Sequence, residues 1–140
     1  MSELKDVIRT IKATDLTTIM DRHTKDENCR SIQTILAHVV STGHNYIVEI
    51  RRKMGEDLKY YDKELLETPN KYRLALNSMF NYAVQLFEDY PGLAVEELDN
   101  QQKIMVRWGQ LYDVEQLIEH AIVHVLRHRR QVERFLGKMA

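Results

Sequence analysis

The stretch HAIVHVLRHRRQ, residues 120–131, sets His120, His124 and His128 one helical turn apart in a chain with six histidines in all. Imidazoles at i and i+4 on a helix point at one locus, the geometry by which HExxH helices grip zinc. Here Val125, Leu126 and Arg127 lie between His124 and His128, so the glutamate base of that protease motif is missing. A plainer reading is a polar ring at the edge of a core, its nitrogens bonded to a carbonyl or carboxylate. The pair alone is compatible with both.

Angular placement ranks the histidines. At about 100° per residue, with His120 at zero, Gln131 falls near 20°, His124 near 40° and His128 near 80°. The apolar set Val114, Leu117, Ile118, Ala121, Val125, Val132, Phe135 and Leu136 spans about 60–160° of the same helix. His128 therefore lies inside the stripe, His124 at its margin and His120 towards the rim. Gln131, between the histidines in angle, is placed to hydrogen-bond a ligand imidazole or to finish the polar edge. Arg129, at the far edge, packs against a neighbour more readily than it binds an anion. A catalytic tetrahedral site needs a third protein ligand. His23 sits in or beside a polar loop, while His38 and His44 flank the apolar stripe of a second helix on opposite sides. Periodicity leaves that choice open.

The elements that must carry these side chains are helices. A first helix is expected from Ser2 to about Asp21, with Leu4, Val7, Ile8, Ile11 and Ile19 on one face. Asp15 falls on that face, either buried and paired or marking a break where TDLTT re-caps the chain. HTKDENCR reads as a loop. Ser31 caps a second helix that ends at Gly55, and Pro69 suits the first turn of a third that stops before Pro91. Residues 91–112 form a long, weakly periodic connection, which Trp108 is expected to anchor. Asp113 and Gln116 make a capping box for a fourth helix reaching about Gly137. Tyr46, Tyr72, Phe80, Tyr82 and Phe87 are expected mostly in the core. Helices of about 20 to 25 residues without a convincing strand predict one all-α domain over 1–140, a four-helix bundle with at least one long crossover connection.

Composition narrows the function. The formal charge is −1 with acids and bases interspersed, so no nucleic acid and no membrane partner is expected. Arg127, Arg129, Arg130 and Arg134 share their helix with Glu115, Glu119 and Glu133, as a solvated face does. Cys29 is the only cysteine, which fits a reducing compartment and excludes an internal disulfide; nothing beside it in sequence would activate it. MSELKDVIRTIK lacks the apolar core of a signal peptide, and no apolar run approaches the roughly 20 residues that cross a bilayer. A cytoplasmic location is expected.

Two motifs, in order and on the expected helices, resemble the DinB-like (YfiT-like) family of metal-binding four-helix bundles. SIQTILAHVV matches a serine-capped second helix with a histidine after an apolar pair. HVLRHRRQ matches H-x-x-x-H-R-x-Q of the last helix, with Arg130 where the family often has glycine, and RWGQLYD is similar to its Trp-Gly lead-in. The resemblance spans nearly the whole chain. It implies His38, His124 and His128 as ligands of a divalent metal, zinc or nickel, and gives His44 and His120 no ligand counterpart. It also implies a homodimer and, in some members, transfer or isomerisation aided by a low-molecular-weight thiol such as bacillithiol or mycothiol. The function so implied is a metal-dependent thiol S-transferase acting on a small electrophilic molecule. The alternative is a non-enzymatic, stress-related bundle with a structural metal or a ligand-binding pocket. A fourth protein ligand, His44 or His120, would favour that alternative.

Overall fold

A computed structural model describes residues 2–139. Its centre is α3 (Ile32–Lys53), which packs on α4 (Pro69–Asp89) and α5 (Val114–Met139). Each long helix starts where a side chain satisfies its free amides. The Ser31 hydroxyl accepts from the Thr34 amide at 3.1 Å, and Thr34 Oγ1 accepts from the Ser31 amide at 3.0 Å. Thr68 caps α4, with Pro69 at its first turn. Asp113 and Gln116 exchange bonds of 2.8 and 3.0 Å before α5. After α3 the chain turns at Gly55, whose φ of +101° suits a residue without Cβ.

The helix expected over Ser2–Asp21 is broken. α1 covers Ser2–Arg9, and a single turn, α2 (Ala13–Leu16), follows after a gap. At the break, the Thr10 hydroxyl and amide both donate to the Val7 carbonyl, at 2.7 and 3.0 Å, a local bond that competes with helix continuation. Ile11 and Leu16 remain buried, but Ile19, expected beside them, is 47% exposed, and Asp15 is half-buried on the short turn. With 8 residues against 22, α1 spans about 12 Å beside the roughly 33 Å of α3. It covers only the half of the bundle where Leu4 and Ile8 meet Leu36, Tyr72, Leu76 and Val132.

The other half rests on α3, α4, α5 and the long connection, around Ile47, Ile50, Leu86 and Leu117. That connection, expected without strand, holds a two-residue ribbon: β1 (Ile104–Met105) pairs antiparallel with β2 (Leu111–Tyr112). Gly109, at φ +85°, turns the chain between them. Ile104 is buried and Met105 exposed, an alternation too short to read from sequence. Phe80 and Phe87, expected in the core, are 51% and 42% exposed; among the described residues the short α1 packs instead near Tyr72 and Leu76 of α4. Gly43 has a packing reason: a Cβ there would stand 2.0 Å from Met79 Sδ, so glycine lets α4 approach α3. At the shared end of these helices, buried Arg51 pairs with Asp89 at 2.7 Å and Glu56 at 3.0 Å. Among the described residues, no helix is long and apolar enough to cross a membrane.

Candidate metal centre

α3 presents His38, and α5 presents His124 and His128, to one point. His124 Nε2 lies 3.0 Å from His38 Nε2 and 3.0 Å from His128 Nε2, and the three donor atoms all fall within 4.8 Å of one another. Around a tetrahedral ion with nitrogen ligands at 2.0–2.1 Å, donor atoms stand roughly 3.3 Å apart. The two 3.0 Å separations are close to that value. No fourth His, Cys, Asp or Glu joins the cluster among the described residues.

Neighbouring groups decide which ring nitrogens carry protons. Thr42 Oγ1 donates to the His38 carbonyl at 2.8 Å, which leaves its oxygen to accept from His124 Nδ1 at 3.4 Å. The Gln131 carbonyl oxygen, which can only accept, stands 2.5 Å from His128 Nδ1. Both Nδ1 atoms therefore hold a proton, and both Nε2 atoms are bare. Two bare lone pairs facing each other at 3.0 Å repel, and a cation between them removes the conflict. Burial keeps the rings neutral, the form that binds metal. Burial first, then the charge of His128, pulls His38 down to about 4 and His124 to about 3. Burial lowers His128 as well. The site fits a divalent ion.

The remaining candidates fall elsewhere. His120 stays outside the cluster and packs on Trp108 at 5.4 Å, Tyr46 at 5.6 Å and Tyr112 at 5.8 Å. Tyr46 in turn sets its edge against His124 at 6.1 Å, so an aromatic wall runs from the triad to the ribbon. Trp108, expected as an anchor, is 48% exposed on that wall. His44 is stacked on Tyr61 at 4.4 Å and tilted against Tyr82 at 5.4 Å, apart from the triad, and burial lowers its pKa. Arg129 pairs with Glu133 at 3.5 Å.

Sequence reasoning passed over three neighbours of the site. Thr42 and Tyr46 follow His38 by one and two helical turns, a spacing that could have found them. Cys29 had no such signal. Its loop folds back so that Gln131 Nε2 lies 3.6 Å from its sulfur, and burial pushes the thiol up.

The bundle brings histidines from two helices to one point, an arrangement that could hold a metal ion. The DinB family matches residues 2–139, nearly the whole chain, and the protein belongs to that family. No curated protein and no solved structure matches it.

Proposed function

We propose that His38, His124 and His128 hold zinc or nickel with one position left open, and that the protein is a metal-dependent thiol S-transferase acting on a small electrophile. The supporting observation is three converging imidazole nitrogens with no fourth His, Cys, Asp or Glu in the cluster among the described residues. Catalytic sites keep three protein ligands and an exchangeable position, whereas structural sites are closed by four. A divalent ion held by three neutral imidazoles supplies positive charge that ionises a bound thiol at neutral pH.

The chain's own residues orient and enclose. Thr42 and Gln131 fix the ring tautomers. Tyr46, Trp108 and His120 offer ring faces to the apolar part of a substrate. Glu49 shares the face of α3 with His38, but the Tyr60 hydroxyl occupies it at 2.8 Å. The thiol proton thus passes to solvent, the sulfur bonds to the electrophilic carbon, and the leaving group departs with its electron pair. A thiol cosubstrate and a lone cysteine both fit a reducing cytoplasm.

The test is metal analysis of the purified protein, followed by a screen of bacillithiol, mycothiol, glutathione and cysteine against alkyl halide electrophiles. Thiol consumption that needs the metal and disappears in His38→Ala supports the transferase. A metal-loaded protein inert to every pair favours the non-enzymatic bundle.

A further inference from the structure

The histidine triad lies between two unlike ends. α3 and α5 run antiparallel here: His38 meets His124 and His128, while Tyr46, two turns further along α3, meets His120 and His124. At one end stands the aromatic wall of Tyr46, Trp108 and His120. At the other, the loop before α3 folds against α5, where Gln131 reaches Cys29. At 1.5 Å per residue, His120 and Gln131 stand about 9 and about 7.5 Å along α5 from the midpoint of His124 and His128.

Two cations flank the loop end. The segment after α3 doubles back along that helix. Asn45 accepts from the Tyr61 amide at 2.6 Å and donates to its carbonyl at 3.1 Å, and Gln33 Nε2 donates to the Leu66 carbonyl at 2.9 Å. Lys63 lies between these fixings, near the level of His38, and its ammonium donates to Asn28 Oδ1 in the loop. Arg127 falls near −20° on α5, about 40° from Gln131 and about 60° from His124. Both side chains are exposed, and among the described residues neither makes an ion pair. The charge of Lys63 opposes protonation of His38, and that of Arg127 opposes protonation of His124 and His128. Exposed charges are screened beyond about 10 Å, so both cations stand near the ring nitrogens. Asp26 is the carboxylate that acts on His38 and His128, and its oxygens accept from the Asn28 amide at 3.0 Å and the Cys29 thiol at 3.5 Å. One acid against two bases leaves this end with an excess of positive charge beside three neutral rings.

We propose that the thiol used by the protein carries a carboxylate, and that Lys63 and Arg127 bind this carboxylate while the sulfur faces the triad. The proposal rests on the thiol-transferase reading above and assigns the substrate class of that site. The electrophile then approaches from the aromatic wall, so the two reactants meet over the histidines from opposite ends. An ammonium and a guanidinium both form charge-assisted bonds to a carboxylate. Each such pair is exposed here and contributes modestly. Together they set which thiol is chosen, not how the sulfur reacts.

Isothermal titration calorimetry of the zinc-loaded chain with N-acetylcysteine and with N-acetylcysteamine, which lacks only the carboxylate, reads the preference directly. N-acetylcysteine should bind about three- to tenfold more tightly at low ionic strength, and the preference should shrink at about 0.5 M salt. Lys63→Gln and Arg127→Gln should each reduce it, the double variant should abolish it, and Lys63→Arg should keep it. Zinc stoichiometry should be unchanged throughout, since neither residue belongs to the triad. Equal affinity for the two thiols overturns the proposal alone. So does a preference that survives in the double variant, as it would if the carboxylate bound the ion itself. A chain that takes up no zinc, or binds neither thiol when loaded, overturns the proposal together with the transferase reading.

Discussion

The Thr42 hydroxyl has no metal to touch, yet its removal should weaken metal binding. Thr42→Val keeps the shape of the side chain and deletes the acceptor that holds the proton on His124 Nδ1. Without it, His124 is free to adopt the tautomer with a protonated Nε2, which cannot ligate. Losses of such supporting bonds run at roughly 10–100-fold in affinity, or about 1.4–2.7 kcal/mol. At 3.4 Å the Thr42 contact is long for a hydrogen bond, so its loss belongs at the tenfold end. The Gln131 contact with His128 is 2.5 Å, so Gln131→Leu belongs nearer the hundredfold end. Zinc affinity measured by competition with a chromogenic chelator reads both, with Thr42→Ser as the variant that keeps a hydroxyl. Wild-type affinity in Gln131→Leu, or a Thr42→Val loss that Thr42→Ser does not recover, would refute the tautomer assignment.

Other outcomes follow from the same geometry. His120→Ala should change zinc affinity by less than about tenfold, because its ring packs on Trp108 and Tyr46 outside the cluster; a larger loss in the same competition assay would place it nearer the ion. Gly43→Ala should destabilise by about 1–3 kcal/mol in urea, at the lower end because Met79 is flexible, and Met79→Ala in the same chain should recover part of it. Metal-stripped protein should lose stability as pH falls from about 6.5 towards 4. His38 and His124 are held below their ordinary 6.5 in the fold, so the unfolded chain binds more protons across that window. Thermal melting of the stripped protein that is flat from pH 7 to pH 4 would contradict the burial of these rings.

Local signals in the sequence carried the long helices. Ser31, Pro69 and the Asp113–Gln116 box mark helix starts because capping needs only residues within one turn. The first helix misled because Ile11 and Ile19 keep a helical period, while the competing Thr10 hydroxyl bond is invisible to periodicity. Phe80 and Phe87 misled for a related reason. A period marks an apolar face, but coverage of that face depends on how far α1 extends, which is a tertiary fact. His38 and His44 both flanked the stripe, and only the family motif separated them. The structure explains the difference through Tyr61, which meets the His44 ring and is fixed by Asn45 bonds at its backbone. Cys29 came to Gln131 through a loop fold with no sequence period at all.

The most direct measurement is zinc or nickel bound per chain, after equilibration in a chelator buffer, for wild type and for His38→Ala, His124→Ala and His128→Ala. One ion per wild-type chain is expected, with affinity lower by orders of magnitude in every variant, since two imidazoles cannot fix the ion. Helical circular dichroism should survive each change, because the apolar clusters around Leu36 and Ile50 are built without metal. Full occupancy in both the His124 and His128 variants, or a wild-type chain that takes up neither metal, would contradict the site.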